Sequence, residues 1–417
     1  MKFSIFSNID LHNPDSIELK SGWKVNYLCF SLDKYTNEGI APLVILGGAF
    51  QKFHSFKKEV EVLCQDMPVI LVDLPGQGSN DQLGEELNFE DYATILRDFL
   101  DYHQIQKIVP VALSYGSAIG FTFAAHYPER THRLILGGTT PKLRKSVRIL
   151  LEESIQAMNE GRMKDFSTGV ILNLFNYSQR RRTKVPRLLI RGFHKSLISL
   201  TEEDKLRYLV NTTRLLNLNG LGEKAPQCET LIIAGEYDNF TTPSECLEVA
   251  NRCEKRIVGI LRNCDHLAPF VKKELMINTY RNFSLHGKLE ENEGISSYTE
   301  TDIPLEKKIL EPRWTYQGEV KLKCPQNTWE HYVNVINLNS YGLCVDIGDK
   351  LISQEKLQNS KIEFVSEGFE LDTIFFDSTR DGIRGIFKRY DFDTYDKLEK
   401  FTERLGQNSC IFQPISL

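Results

Sequence analysis

Short apolar runs alternate with helical stretches through the first third of the chain. Apolar runs lie at 43–46, 68–73, 107–113 and 133–136, and a helical spacing of apolar residues is clearest over 89–103. Buried strands that alternate with helices need crossover connections, which are typical of a parallel sheet. The pattern therefore predicts an α/β domain.

This alternation stops between about 141 and 225, where the apolar residues keep a helical spacing and no buried strand stands out. Apolar strands resume at 230–235 and 256–261. Ligands bind at the carboxyl ends of the strands in open α/β sheets. We therefore expect 141–225 to be a helical lid inserted over that edge of the sheet.

The last part of the chain has a different pattern. Polar residues and glycine dominate 287–306, which predicts a linker. Beyond it, apolar and polar positions alternate in short segments, as in antiparallel strands; these segments are 319–322, 332–336, 361–365 and 383–390, followed by a predicted helix at 394–405. We predict an α/β domain over 1–286, the linker, and a β-rich domain over 307–417.

Composition narrows the classes of protein that the chain can belong to. The 417 residues are 41% apolar and 26% charged, with a net charge of −5, which is ordinary for a folded protein and does not indicate nucleic-acid binding. No secretory signal pattern or stretch of about 18 apolar residues is present. The nine cysteines are scattered without a C-x-x-C pair, so we expect reduced thiols in a cytoplasmic protein, with no metal or cofactor.

The strongest chemical signal is Ala112-Leu113-Ser114-Tyr115-Gly116, between a predicted strand and a predicted helix. A serine on such a tight turn holds its Oγ clear of the sheet, and the turn requires small residues two positions before and two after it. Ala112 stands where glycine is usual. The alternative is a serine in an ordinary strand-to-helix turn, but the context favours a nucleophile.

Two later residues complete a Ser-Asp-His order. Asp238 follows the predicted strand 230–235, and His266 follows the next strand, 256–261. Both therefore lie at the strand ends where Ser114 lies. His266 would take the proton of Ser114, and Asp238 would fix the imidazole tautomer. Either residue alone could be an ordinary surface or capping residue, but the three in this order predict a catalytic triad.

An acyl-transfer site also needs two backbone N–H groups for the oxyanion. Tyr115, directly after the predicted nucleophile, is expected to supply one. The other is expected from the loop after 43–46, where Gly47-Gly48 allows close approach of the backbone; Ala49 is the first choice and Phe50 the second.

With these residues in place, the chain from about 20 to 285 resembles the α/β-hydrolase superfamily. Within it, Gly47-Gly48-Ala49-Phe50, the loop from Asp73, and Gly235-Glu236-Tyr237-Asp238 are similar to the synthases that make the 3-(3-hydroxyalkanoyloxy)alkanoate precursor of rhamnolipids. Those synthases join two 3-hydroxyacyl chains taken from carrier thioesters. The resemblance implies an acyl-enzyme at Ser114 that the hydroxyl of a second acyl chain resolves.

The predicted lid is strongly basic. Residues 141–200 hold 13 Lys and Arg against 4 Asp and Glu, and the densest part is Arg180-Arg181-Arg182 with Lys184. A basic face beside the site would attract an acidic acyl carrier protein or the phosphates of an acyl-CoA. A solvated charge run, or one paired with the acidic body of the protein, remains the alternative.

The C-terminal region, about 305–410, resembles the PilZ family, a small β-barrel of which many members bind cyclic di-GMP. Asn337 and Gly342 match the polar loop motif of that family, whereas Asn339 replaces its serine. Of the preceding arginine pair only Arg313 is present, because Ile309 occupies the other position. The resemblance implies a nucleotide site at Arg313, Asn337, Asn339 and Gly342. The arginine that is missing at position 309 would form bidentate contacts that other side chains do not replace. The alternative is a barrel that packs against or binds protein.

The sequence thus predicts an α/β-hydrolase fold with a helical lid, followed by an antiparallel, PilZ-like β-barrel. Its leading function is a serine acyltransferase or hydrolase that acts on acyl thioesters or esters. A plain carboxylesterase or lipase, in which water resolves the acyl-enzyme, and a non-catalytic signalling scaffold remain open alternatives.

Overall fold

The computed structural model describes residues 11–32, 39–298, 313–323, 329–348, 357, 360–379, 382–388 and 391–406. They form two compact units. One contains the sheet together with residues 174–191, and the other contains the barrel together with 156–173 and 192–198. The predicted lid, 141–225, is therefore divided between the units instead of belonging wholly to the first. Within the second unit, the ring of His194 lies 5.8 Å from that of Phe392 in the barrel's terminal helix.

A nine-stranded sheet forms the centre of the first unit. Its strands are β1 (Asp15–Glu18), β2 (Lys24–Phe30), β3 (Leu43–Leu46), β4 (Val69–Asp73), β5 (Val109–Leu113), β6 (Arg133–Gly137), β7 (Glu229–Gly235), β8 (Lys255–Leu261) and β9 (Ile295–Ser297). They lie in the order β1-β2-β4-β3-β5-β6-β7-β8-β9. The strands from β3 to β8 are parallel, and β1, β2 and β9 pair antiparallel at the edges. The predicted α/β sheet is confirmed.

Helices connect the strands along the chain. In chain order they are α1 (Lys57–Leu63), α2 (Phe89–Tyr102), α3 (Tyr115–His126), α4 (Lys145–Asn159), α5 (Met163–Leu174), α6 (Arg180–Thr183), α7 (Arg187–Ile198), α8 (Glu202–Leu216), α9 (Pro243–Ala250), α10 (Ala268–Val271) and α11 (Lys273–His286). Successive side chains of a strand point to opposite faces. Accordingly Val44 and Leu46 of β3 join one apolar core, and Leu43 and Ile45 join another.

The second unit contains a closed antiparallel barrel of six strands, as predicted. The strands are β10 (Val320–Lys323), β11 (Glu330–Leu338), β12 (Gly342–Asp346), β13 (Ser360–Phe364), β14 (Phe369–Thr379) and β15 (Gly382–Phe387). Pairing of β10 with β13 closes the order β10-β11-β12-β15-β14-β13. The final helix, α12 (Phe392–Gly406), contributes Leu398 and Phe401 to the barrel core. The last two residues of the predicted strand 383–390 lie outside the described residues.

Part of the predicted linker belongs to the sheet. Gly287, in the left-handed conformation, ends α11, and β9 then pairs antiparallel with β8. The Ile295 side chain is fully buried in the apolar core. Ile295 thus joins this short edge strand to the core, whereas the polar composition around it predicts a linker. Residues 299–306 of that prediction lie outside the described part of the chain.

The composition predicts reduced thiols and no membrane-spanning stretch. The seven cysteines in the described part of the chain are free, and most are buried. No helix among the described residues combines the length and the apolar character needed to span a bilayer.

Candidate active site

Ser114 occupies the tight turn between β5 and α3. Its φ of 50° and ψ of −115° are rare for a residue with a side chain. Its N–H donates to the carbonyl oxygen of Gly137 at 2.7 Å, which ties the turn to the end of β6. A Cβ at Gly116 would lie 2.4 Å from the carbonyl oxygen of Leu46, so the turn leaves no room for a side chain there. Neighbouring elements thus hold the strained backbone of Ser114 in place.

Ala112, the departure from the usual glycine, is accommodated by α3. A Cβ built on Gly120 would lie 2.4 Å from the Cβ of Ala112. Glycine at 120 therefore leaves the space that the alanine methyl group occupies. The alanine methyl group thus packs directly against the backbone of Gly120 in the facing turn of the helix.

The structure brings Ser114, His266 and Asp238 together in hydrogen-bonding order. Ser114 Oγ lies 2.9 Å from His266 Nε2, and His266 Nδ1 lies 2.9 Å from Asp238 Oδ2. The side chains of Asp238 and His266 are buried. Each residue follows the carboxyl end of a strand, β5, β7 or β8, so the parallel sheet places all three at one edge.

Asp238 is held by the turn that follows it. Its Oδ1 accepts hydrogen bonds from the backbone N–H groups of Phe240 and Thr241, both at 2.9 Å. Its Oδ2 accepts from Thr241 Oγ1 at 2.9 Å, and the same hydroxyl lies 3.1 Å from His266 Nδ1. These contacts fix the carboxylate plane against the imidazole. Thr241 is a site residue that the sequence reasoning missed, although an aspartate that caps the N–H groups two and three residues on is a recognisable local pattern.

The surroundings of His266 favour its protonated form. Burial opposes the charge, but the Asp238 carboxylate, its hydrogen bond and the charge of Asp265 more than offset burial and raise the pKa of His266. Gly138, with a φ of 62°, adjoins the ring, since a Cβ there would lie 2.8 Å from His266 Cε1. The imidazole therefore depends on a bare backbone position that the sequence reasoning did not identify.

Asp265 is a second carboxyl group beside the predicted triad. Its Oδ1 accepts from the N–H of Leu267 at 3.1 Å, and within the described part of the chain its Oδ2 has no hydrogen-bond partner. Burial raises the pKa of Asp265 to about 7, and the charge of Asp238 acts in the same direction. The hydrogen bond from the Leu267 N–H acts against this rise. The negative charge of Asp265 thus changes in the pH range in which a histidine titrates.

The loop after β3 approaches Ser114 closely. A Cβ on Gly48 would lie 3.2 Å from the Cβ of Ser114, so only glycine fits without a shift. The Gly48 N–H already donates to Gln51 Oε1 at 2.6 Å, and Ala49 and Phe50 provide the next backbone N–H groups. Tyr115 is the first residue of α3, and an N–H in that position has no acceptor within its helix. The predicted oxyanion residues, Ala49 and Tyr115, therefore lie on the two segments that flank Ser114.

A cavity of about 80 Å³ adjoins this loop. Its walls come from 47–53, from the loop after β4, and from the face of α8 that includes Asp204, Arg207, Tyr208 and Asn211. Arg214, one turn farther along α8, donates to the Tyr115 hydroxyl at 2.8 Å. The cavity is thus bounded by both predicted oxyanion segments and by one helix of the predicted lid.

The basic run of the predicted lid forms the short helix α6. Arg181, Arg182 and Lys184 are exposed, whereas Arg180 is half-buried with its guanidinium carbon 4.5 Å from the ring centre of Tyr177. Arg182 also donates to the hydroxyl of Tyr237 at 3.2 Å. Since Tyr237 precedes Asp238 in the chain, the basic helix contacts the turn that carries the predicted triad acid.

The predicted nucleotide residues of the barrel also lie together, but they bond to one another. Arg313 Nε donates to Asn337 Oδ1 at 2.5 Å, and its NH2 lies 3.3 Å from the carbonyl oxygen of Gly342. Burial lowers the pKa of Arg313 to about 10. Asn339 Oδ1 accepts the N–H groups of Tyr341 and Gly342, which makes a local turn.

Gly342 also has a packing role. A Cβ there would lie 2.2 Å from the carbonyl oxygen of Gly385 on the paired strand β15. Barrel packing alone therefore accounts for this glycine. Ile309, at the position of the missing arginine, lies outside the described residues.

Comparison with known proteins agrees with this architecture. The family model described as alpha/beta hydrolase fold matches residues 41–273, more than half of the chain. The chain is 30% identical over 100 residues to the poly(3-hydroxyalkanoate) depolymerase of Ectopseudomonas oleovorans, in a match that covers 24% of this chain and 35% of that relative. The chain therefore spans only about a third of that relative's length.

Solved structures are similar over longer stretches. A hydrolase from Pseudomonas aeruginosa PA01 is 18% identical with a TM-score of 0.55, covering 67% of this chain and 100% of that one. The enol-lactonase of Burkholderia xenovorans LB400 is 17% identical with a TM-score of 0.54, covering 65% and 100%. At such identities the likeness shows the fold. With the family match, it confirms the prediction of an α/β-hydrolase-fold enzyme, and this chain belongs to the alpha/beta hydrolase fold family.

Proposed function

We propose that this protein is a serine acyltransferase or hydrolase that acts on acyl thioesters or esters through an acyl-enzyme at Ser114. The observation that carries the proposal is the unbroken relay of Ser114 Oγ, His266 and Asp238, in which each contact measures 2.9 Å. A relay of this geometry lets the imidazole remove the serine proton while the carboxylate stabilises the imidazolium that results.

The first half-reaction forms the acyl-enzyme. His266 Nε2 takes the proton of Ser114 Oγ as that oxygen attacks the acyl carbonyl carbon. The carbonyl oxygen becomes an oxyanion, which the N–H groups of Ala49 and Tyr115 stabilise. The imidazolium then gives its proton to the leaving thiol or alcohol, the bond between that group and the acyl carbon breaks, and the acyl chain stays on Ser114.

The second half-reaction releases the acyl chain by the same steps. A hydroxyl group loses its proton to His266 and attacks the acyl carbon, and Ser114 leaves as its oxygen regains that proton. Water as the attacking group gives a free acid, whereas the hydroxyl of a second substrate gives a new ester. The triad permits both outcomes, so the acceptor decides between hydrolysis and transfer.

For the substrate we favour 3-hydroxyacyl chains. Two observations support this choice: the segments around 47–50, 73 and 235–238 resemble the synthases that join such chains, and the relative from Ectopseudomonas oleovorans is named for poly(3-hydroxyalkanoate), an ester of the same chemical class. A 3-hydroxyacyl chain has an acyl group to give and a hydroxyl group to accept, so one substrate could serve both half-reactions.

The test is to analyse the products by mass spectrometry after incubation with a 3-hydroxyacyl thioester. We expect the unmodified protein to make the ester-linked dimer of two chains and the Ser114→Ala variant to make none. Free 3-hydroxy acid alone would identify a plain hydrolase. No consumption of this thioester or of simple esters would contradict the proposed function.

The exposed basic residues of α6 and its C-terminal cap, Lys184, would act before the chemistry. Arg181, Arg182 and Lys184 present positive charge to solvent, and the whole segment 141–200 is basic. An acidic acyl carrier protein is the partner that this charge fits, because opposite charges on two surfaces speed their encounter. We propose that α6 receives the carrier that delivers the acyl thioester.

For the barrel we propose a PilZ-like regulatory or docking role with little affinity for cyclic di-GMP. Arg313 already donates to Asn337 and faces Gly342, and Asn339 is engaged in its own turn. A nucleotide would have to replace these internal hydrogen bonds. A partner protein would instead bind the outer faces of the barrel strands.

A further inference from the structure

The oxyanion loop is defined here as residues 47–52, which follow β3 and include the proposed donor Ala49. Contacts within the loop and contacts with a neighbouring helix hold it in place. Within the loop, Gln51 Oε1 accepts the Gly48 N–H at 2.6 Å. On the other side of Ala49, Phe50 has a φ of 65°, a conformation that a side-chain-bearing residue keeps only where its surroundings enforce it.

The loop packs against α8, a helix of the predicted lid. The ring of Phe50 stacks on that of Tyr208, with centroids 5.1 Å apart and planes 12° from parallel. Two residues along the loop, Lys52 Nζ lies 2.7 Å from Asp204 Oδ2. Asp204 and Tyr208 are four residues apart and therefore face the same way on α8. One face of one helix thus holds the loop at two points.

Tyr208 and Asp204, the two residues of α8 that contact the loop, are held by hydrogen bonds of their own. The Tyr208 hydroxyl lies 2.6 Å from Ser154 Oγ on α4, and the Tyr208 side chain is buried. Asp204 Oδ1 receives a second hydrogen bond from Arg207 at 2.9 Å. Burial alone would raise the pKa of Asp204, but the hydrogen bond and charge of Lys52 and the charge of Arg207 lower it. The carboxylate therefore remains charged and bound to the loop.

We propose that Tyr208 and Asp204 are positioning residues for the oxyanion hole: α8 holds the loop so that the Ala49 N–H points at the developing oxyanion. The proposal rests on the proposed function, since it concerns the transition state of that reaction. Fixed donors stabilise an oxyanion because no reorganisation is needed when the charge forms. A helix of the lid would thus control the chemical step itself in addition to covering the site.

The test replaces the stacking ring and follows the transition state. In Tyr208→Leu we expect kcat for a small neutral ester to fall about 10- to 100-fold, which is part of the roughly 10²- to 10³-fold cost of losing one oxyanion donor. KM should stay within about threefold, and the affinity for a trifluoromethyl ketone, which forms a tetrahedral adduct, should fall in proportion to kcat. Tyr208→Phe keeps the ring, so it should retain kcat within about threefold.

One further variant tests the second contact, and another is a control for a general loss of structure. Lys52→Met removes the other contact at a partly exposed side chain, and we expect it to lower kcat and ketone affinity together by a smaller factor. Tyr102→Leu alters a tyrosine that is 61% exposed on α2 and should change neither. A Tyr208→Leu variant with native kcat and ketone affinity, or one with a raised KM alone, would overturn the proposal. If the unmodified protein neither turns over esters nor binds the ketone, the proposed function fails instead.

Discussion

Ser114 stands in a backbone conformation that it could not keep alone. Packing at Gly116 and the bond to Gly137 hold it there, and the same turn aims its Oγ at His266. Strain of this kind costs of order 1–3 kcal/mol and clusters at functional sites. We therefore expect the turn to present Ser114 as the nucleophile.

Removing a member of the triad should abolish most of the activity. We expect Ser114→Ala or His266→Ala to lower kcat by about 10⁴- to 10⁶-fold, and Asp238→Asn by somewhat less, because the three residues act as a unit. Steady-state hydrolysis of a p-nitrophenyl ester measures the loss, and thermal unfolding checks that each variant is folded. Near-native turnover in Ser114→Ala would show that the acyl group is carried elsewhere.

The pH dependence of kcat/KM should show the effect of the neighbouring carboxylates on the pKa of His266. Only neutral His266 can accept the serine proton, so kcat/KM should fall as the pH drops through its raised pKa, above the ordinary value of 6.5. Asp238→Asn removes the largest charge that raises this pKa, and the acidic limb should therefore move to lower pH while the plateau falls. Asp265→Asn should move the limb the same way with a smaller change of plateau. A limb that stays in place in both variants would contradict this electrostatic account.

At the residue scale, the sequence predicted the triad but not the groups that hold it. Order along the chain and position after a strand are visible in sequence, so the pattern could predict Ser114, Asp238 and His266, which lie within hydrogen-bonding distance of one another. The contribution of Gly138 and Asp265 depends on where the His266 ring points, which a linear pattern does not contain. Conversely, the predicted nucleotide residue Arg313 lies beside its partners, but its internal hydrogen bonds appear only in three dimensions.

The packing of α3 against β5, beside Ser114, can be tested by substitution at Gly120. Gly120→Ala would place a methyl group 2.4 Å from the Cβ of Ala112. We expect a loss of about 1–3 kcal/mol in the free energy of unfolding, the usual cost of overpacking, despite the better helix propensity of alanine. The double variant Ala112→Gly/Gly120→Ala should recover most of that loss.

Urea denaturation measures both variants. Gly169→Ala on α5 is the control, because a Cβ there meets nothing within 4 Å, and it should be neutral or stabilising. Equal instability of the single and double variants would mean that Ala112 and Gly120 do not share one space.

Charge reversal on α6 tests the carrier proposal. Arg181→Glu/Lys184→Glu should lower kcat/KM for a carrier-bound thioester by about tenfold or more at low salt, and should flatten its salt dependence. Small neutral esters should react as before, since their chemistry does not use α6. Lys20→Glu/Lys224→Glu changes the same charge at exposed positions outside the basic segment and is the matched control. An equal effect of both pairs, or an equal loss on small esters, would contradict a carrier surface.

At the element scale, the parallel strands were predictable and the edges were not. Each strand from β3 to β8 contains a run of buried residues, because an apolar core covers each face of the sheet. In contrast, β1 is largely exposed and β9 has one buried residue, Ile295, within a polar segment. Such strands are defined by their pairing partners and leave little trace in composition.

For the whole molecule, the barrel raises the question of regulation. The absence of one bidentate arginine contact, worth about 1.5–3 kcal/mol, corresponds to roughly 10- to 100-fold in affinity. Titration calorimetry on the full chain should therefore find weak or no binding of cyclic di-GMP, with GTP as the nucleotide control. A sub-micromolar Kd that Arg313→Ala abolishes would contradict this expectation.

The two-unit organisation was only partly accessible from the sequence. Period-2 segments predicted the antiparallel strands of the barrel, and the structure closes them through the β10–β13 pair. The grouping of 156–173 and 192–198 with the barrel depends on contacts between distant parts of the chain, such as His194 with Phe392. Helical spacing identifies a lid helix but not the unit against which it packs.

An acyl-enzyme at Ser114 can be tested most directly by covalent labelling of the folded protein with a fluorophosphonate, followed by intact-mass and peptide analysis. We expect one adduct per chain, located on Ser114. It should be absent in Ser114→Ala and after denaturation, and it should form much more slowly in His266→Ala. No adduct on the folded protein, or an adduct at a residue other than Ser114, would contradict an acyl-enzyme at this serine.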